Sequence, residues 1–253
     1  MKTIAGLILG FRDAENYRRR ENKVLFNKLF LRTESLEKLT DQSISFLLGE
    51  KGTGKTAYAV YLSNNNYKNN LATIRYIRET EYNKFIAMKK ANNLSLSDYT
   101  DVWKVIIYLL MAQQIRSTTS KRSFLNLFPK FTQLEKAIDE YYKSAFSPEI
   151  LYAIQFAEGA KIAAEIISKY AKLGAEDSAS FTFSEQRFQT NLRFIERHFE
   201  DAFRSLKLDQ NYILFIDGID IRPSSIAFDD YLDCVKGLAN AIWTVNRDCY
   251  EKN

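Results

Sequence analysis

The chain has 253 residues, 46% hydrophobic and 26% charged, a balance that suits a folded globular protein and excludes a disordered one. Three prolines and nine glycines leave little room for flexible linkers, so the length fits one large domain or a core carrying an insertion. A net charge of +5 is compatible with nucleic-acid contact without requiring it, and a single histidine, His198, argues against His-dependent triads and multi-His metal sites.

Two cysteines, Cys234 and Cys249, form neither a zinc spacing nor a disulfide framework, which points to a reducing cytosol. The N-terminal run Met1 to Phe11 imitates a signal peptide, but its apolar part is short and Arg12-Asp13-Ala14-Glu15 follows at once. It reads as a segment that packs on the core. Val105 to Ala112 is among the longest apolar runs and is far too short to span a bilayer, so a cytoplasmic chain without a membrane partner is expected.

Residues 12–40 read as helical, with Leu25, Phe26, Leu29 and Phe30 at helix spacing. Arg18, Arg19 and Arg20 are either a solvated face or a contact for phosphate or nucleic acid. Ser43 to Leu48 has the composition of a short strand. Directly after it comes Gly49-Glu50-Lys51-Gly52-Thr53-Gly54-Lys55-Thr56, the full GxxxxGK[ST] pattern, and then a helix-forming run through Leu62.

Strand, glycine-rich turn and helix are the setting in which this pattern cradles phosphate. Glycines let the backbone wrap a phosphate chain with its N–H groups inward, and the helix N-terminus adds positive potential. The nucleotide-binding residues are therefore Gly49, Glu50, Lys51, Gly52, Thr53, Gly54, Lys55, Thr56 and Ala57. Lys55 reaches the β- and γ-phosphates, and the Thr56 hydroxyl holds Mg²⁺. The bland alternative is a glycine-rich turn with no ligand.

A polar loop at 63–70 leads to a second strand, Leu71 to Ile77, with Arg78 and Glu79 at its C-terminal end. Residues 83–206 are mostly helical by pattern. They include a helix opened by Ser147-Pro148-Glu149, a short strand at Ser178 to Phe183, and an amphipathic helix carrying Phe188, Leu192, Ile195, Phe199, Phe203 and Leu206.

Tyr212-Ile213-Leu214-Phe215-Ile216-Asp217-Gly218-Ile219-Asp220 is the second informative stretch. The apolar run reads as a strand buried on both faces. Asp217 at its end is a candidate Mg²⁺ ligand, directly or through a water, with a plain Asp-Gly turn as the alternative. Asp220 is a candidate for positioning or deprotonating the attacking water, or else a solvated turn carboxylate. Arg222-Pro223-Ser224-Ser225 closes the turn, Arg222 being a candidate sensor, and a final helix begins near Ile226.

These two stretches resemble the additional-strand branch of P-loop ATPases, and within it the STAND and NACHT-type proteins, whose second motif is hydrophobic-Asp-Gly-Leu-Asp. The chain is most similar to the FunZ-like bacterial P-loop ATPases, through Leu9-Gly10-Phe11-Arg12-Asp13-Ala14-Glu15 and the form of the phosphate loop. The likeness covers most of 9–82 and 211–223. It implies an α/β fold: a P-loop NTPase three-layer sandwich with a mainly parallel sheet and a large helical insertion. The core is then 1–82 and 207–253, incomplete on its C-terminal side, and the insertion is 83–206. It also implies a role in antiphage defence.

In that branch a further strand, after the second motif, lies between the phosphate-loop strand and the Asp strand. No apolar run after Asp217 is left to form it, and the gap would cost several kcal/mol in unpaired backbone groups. The chain is therefore expected to be the N-terminal part of a longer product, or to fill the gap with another segment.

The expected activity is Mg²⁺-dependent ATP hydrolysis by a switch or motor, with Lys55, Asp217 and Asp220 as catalytic residues and Thr56 and Asp217 as metal ligands. An arginine finger from a neighbouring subunit would make turnover depend on assembly into a homo-oligomer. The alternative is an ATP-gated binding module with little turnover, whose insertion recognises a protein or nucleic-acid partner; the lack of a glutamate after Asp217 keeps it open. A GTPase would need an Asn-Lys-x-Asp reader, and a small-molecule kinase an arginine-rich lid; the chain has neither.

Overall fold

A computed structural model describes residue 11, residues 13–78, 96–118 and 208–250, position 83, and scattered positions between 193 and 204. The chain divides into two compact units, Met1–Arg75 with Gln210–Asp217, and Tyr76–Asp209 with Gly218–Asn253. Packing thus groups 218–253 with 76–209, whereas the sequence reading assigns 207–253 to the nucleotide-binding core.

In the first unit, a 3-10 turn at Ala14–Arg18 precedes α1 (Arg20–Leu29) and α2 (Glu34–Lys38). The expected helical stretch is therefore broken at Arg19 and at Phe30, both in extended conformation. Glu21 near the start of α1 and Lys28 near its end suit the helix dipole. Aromatic rings join these turns to α3 (Lys55–Asn64): Tyr17 stacks on Phe26 at 4.9 Å, and Phe30 stacks on Tyr61 at 4.2 Å. Ala59, Val60, Tyr61 and Leu62 are all buried. So many consecutive buried positions make α3 an interior helix, not a surface one. Side-chain amides fasten it further, with Asn64 donating to the Tyr17 carbonyl and Asn27 and Asn65 bonding each other reciprocally.

β1 (Asn70–Tyr76) and β2 (Asn211–Asp217) lie side by side in a small parallel sheet, so the described protein is mixed α/β. Both strands agree with the sequence reading to within a residue. Two expectations do not hold. Ser43–Leu48 is in neither strand of the sheet, and Ile44, Phe46 and Leu48 are 46%, 46% and 88% exposed. Strand-like composition makes a strand only where a ladder partner accepts it. β2 is half-buried rather than buried, because among the described residues β1 is its one sheet neighbour.

In the second unit, α4 (Leu96–Thr118) packs along α5 (Phe228–Tyr250). Tyr99, Val102, Trp103, Ile106 and Leu110 are buried on α4, and Cys234, Leu238, Ala241 and Val245 on α5. Gly237 lets the helices approach: a Cβ there would sit 2.6 Å from Tyr99 Cβ and 3.2 Å from its carbonyl carbon. Trp103 Nε1 donates to the Cys234 carbonyl at 3.2 Å. Tyr108 stacks on Phe199, the described part of the amphipathic helix expected to end near Leu206. The helix expected after Ser147, the strand at 178–183 and His198 lie outside the described residues.

Among the described residues no helix is long and apolar enough to cross a membrane.

Candidate functional site

The glycine-rich loop from Gly49 to Thr56 is built by the backbone conformations its glycines permit. Gly52 and Gly54 have φ of 90° and 87°, in the left-handed region that side-chain-bearing residues avoid. Between them Thr53 closes a turn, its amide and hydroxyl both donating to the Glu50 carbonyl, at 3.3 and 2.8 Å. Gly54 is then the N-cap of α3, with no side chain capping the helix. The first helical bond runs from the Tyr58 amide to the Gly54 carbonyl at 3.1 Å. The N–H groups of Lys55, Thr56 and Ala57 are therefore presented at a helix start, where an anion can take them.

Lys55 folds back over the loop, its ammonium donating to the carbonyls of Gly49 at 2.7 Å and Glu50 at 3.0 Å. Its charge thus rests on two carbonyls of its own loop, with no carboxylate in these contacts. Gly49 is crowded, since a Cβ would lie 2.8 Å from Thr53 Oγ1. Glu50, Lys51, Gly52 and Thr53 are exposed.

One turn into the site, the Thr56 hydroxyl donates to Oδ2 of Asp217 at 2.7 Å. The last residue of β2 and the second residue of α3 therefore meet, one bringing a hydroxyl and the other a carboxylate. This donor set fits Mg²⁺, which takes hard oxygen ligands and is held by one or two protein groups while phosphate oxygens and waters supply the rest. Among the described residues no three His, Cys, Asp or Glu side chains cluster, so an all-protein cage is not formed there.

Gly218 ends β2 with φ of 87°, and a Cβ would lie 2.7 Å from the Ile77 carbonyl oxygen. Asp220 is exposed in the turn beyond. Arg222, a candidate sensor by sequence, donates to the Ile226 carbonyl and so closes its own loop. Tyr231, near the start of α5, donates to the Ile219 carbonyl. Burial raises its phenol pKa, and the nearby Asp220 charge raises it further. Sequence reading placed Tyr231 among the inward-facing residues of the last helix and missed this tie; a tyrosine shortly after an Asp-Gly turn was the available signal.

Of the other flagged residues, Arg18, Arg19 and Arg20 are exposed. Burial lowers the Arg75 pKa, and the Arg18 charge adds to that. Arg78 is exposed just past β1, and Glu79 lies outside the described residues.

No protein-family model matches this chain, and no curated protein or solved structure matches it either.

Proposed function

We propose that the chain is a Mg²⁺-dependent P-loop ATPase of the additional-strand branch, with a three-layer core around a mainly parallel sheet, acting as a switch or motor. The observation that carries this reading is the 2.7 Å contact between Thr56 and Asp217 beside a glycine-shaped loop.

The amides of Gly52, Gly54, Lys55, Thr56 and Ala57 and the Lys55 ammonium would hold the triphosphate, Lys55 exchanging its Gly49 and Glu50 carbonyls for phosphate oxygens. Thr56 and Asp217 would hold Mg²⁺, which supplies charge neutralisation on the β- and γ-phosphates. Water would bond through its oxygen to the γ-phosphorus as the bond to the β,γ-bridging oxygen breaks, giving ADP and phosphate and releasing a proton. Positioning and electrostatic stabilisation account for most of the rate in this chemistry.

Phosphate release from Mg·ATP, compared between the wild type and Lys55→Ala, tests the reading. Turnover that is lost in the variant supports it, and equal turnover overturns it. A chain that binds Mg·ATP tightly but releases no phosphate in a single turnover is the ATP-gated binding module instead.

A further inference from the structure

We propose that the outer side of α1, with Leu31 just beyond it, is a docking surface for an acidic amphipathic helix of a partner protein. This surface does not depend on the nucleotide reading. By spacing, Leu25, Phe26, Leu29 and Phe30 belong to one inward stripe, yet only the phenylalanines serve the core: Phe26 is buried, and Phe30 stacks on Tyr61. Val24, Leu25, Leu29 and Leu31 are 62%, 38%, 67% and 78% exposed. Aliphatic side chains standing out together from so short a stretch form a patch, unlike the singly scattered residues of an ordinary protein surface.

The helix cannot roll to hide them. Phe26 stacks on Tyr17 at 4.9 Å and lies against Phe30 at 5.5 Å. On the same element, Asn27 and Asn65 exchange side-chain hydrogen bonds at 2.8 and 3.0 Å. Turning α1 would break these contacts, so its outer side is a fixed feature of the first unit.

Charge identifies the occupant. Arg19, Arg20, Lys23, Lys28 and Arg32 accompany the patch, and Glu21 is the one acid between residues 19 and 32. A second copy would bring the same cations with its own α1, setting like charges together. Nucleic acid would reward the cations but leave the aliphatic side chains uncovered. A bilayer asks for apolar and charged residues on opposite sides of a helix. With about 3.6 residues per turn, Glu21 and Lys28 instead fall between Val24 and Leu25, so charge and aliphatic surface are interleaved. A partner helix suits that pattern. Its apolar ridge would lie along Leu25 and Leu29, an i,i+4 pair, while its carboxylates meet the cations at the edges.

A display library of helical peptides of about 18 residues tests the proposal. Leucines are fixed at i, i+4 and i+7, the flanking positions are randomised, and selection is on the full chain without nucleotide. Asp and Glu should become enriched in the flanks. By fluorescence anisotropy, the selected peptide should bind Leu25→Ser/Leu29→Ser at least about 10-fold more weakly than wild type. It should also lose affinity for Lys28→Glu, and a peptide with one Glu→Lys change should recover binding to that variant alone. These positions are exposed, so the variants should melt near the wild-type temperature; if the double variant does not fold, Val24→Ser and Lys28→Glu carry the test. Selection that yields no peptide dependent on these residues overturns the proposal, as do basic or uncharged flanks. So does tighter binding of single-stranded or duplex DNA, or of vesicles of phosphatidylserine and phosphatidylcholine, that is lost in the same variants. Self-association of the wild type that the double variant abolishes also overturns it, and gives the face to a second copy.

Discussion

The Thr56 hydroxyl donates a 2.7 Å hydrogen bond to the Asp217 carboxylate across 161 residues of sequence. If the proposed Mg²⁺ site is real, this contact already holds a hydroxyl oxygen and a carboxylate oxygen side by side before any ion is bound. Asp217→Asn keeps the shape and a hydrogen-bonding group but removes the charge. Turnover should fall at least about 100-fold, as for loss of other electrostatic stabilisers of the transition state. Phosphate release at saturating Mg·ATP checks this, and a rate within threefold of wild type would overturn the metal-binding role proposed for Asp217.

Lys55 gives a test separable from chemistry. Its bonds to the Gly49 and Glu50 carbonyls lie at the surface, so Lys55→Ala should change the stability of the nucleotide-free protein by less than about 0.5 kcal/mol. Mg·ATP at 100 times its Kd should stabilise the wild type by about 2.7 kcal/mol. Thermal melts with and without Mg·ATP should show that stabilisation in the wild type and its loss in the variant.

Two glycines with the same backbone twist should respond differently to a methyl group. Gly52→Ala meets nothing within 4 Å, so it should cost only the left-handed conformation, about 1–2 kcal/mol. Gly218→Ala pays the same and also drives a Cβ to 2.7 Å from the Ile77 carbonyl oxygen. Denaturant titration should rank Gly218→Ala as clearly the more damaging, and equal midpoints would refute the close approach.

Gly237 reverses the usual rule for helix interiors. Alanine is better than glycine there by about 1 kcal/mol on propensity alone. At this position the added Cβ meets Tyr99 Cβ at 2.6 Å, so Gly237→Ala should destabilise the α4–α5 pair by about 1–3 kcal/mol. A stabilised variant would show that the helices can part without cost.

Burial pushes the Cys234 thiol from its ordinary 9.0 up to about 12. The raised native value means the neutral thiol favours folding. That contribution is complete below pH 9 and declines as pH rises from 9 towards 12. In a Cys249→Ser background, Cys234 should stay unreactive towards a disulfide reagent at pH 8 until denaturant is added. Prompt modification of the native protein would show that the thiol is accessible.

The glycine-rich turn before α3, β1, β2 and the last helix were legible in the sequence because each is announced by residues next to one another. Ser43 to Leu48 misled for the opposite reason, since its apolar composition suits a strand while pairing depends on what lies alongside. The same limit explains β2, whose unbroken apolar run anticipates burial on two faces that one described neighbour cannot supply. Arg222 looked available to a ligand, yet its guanidinium reaches a carbonyl four residues on.

By itself the sequence determined the chemistry of the loop from Gly49 to Thr56. Glycine torsions, an ammonium and a hydroxyl on the first helical turn are properties of eight consecutive residues, and no distant contact is needed to specify them. Only the tertiary structure decided that Asp217 meets Thr56, that Tyr231 grips Ile219, and that α5 lies on α4. Those pairings join segments far apart in the chain, and which segments meet is set by how apolar surfaces fit together, a property that no short stretch of residues carries.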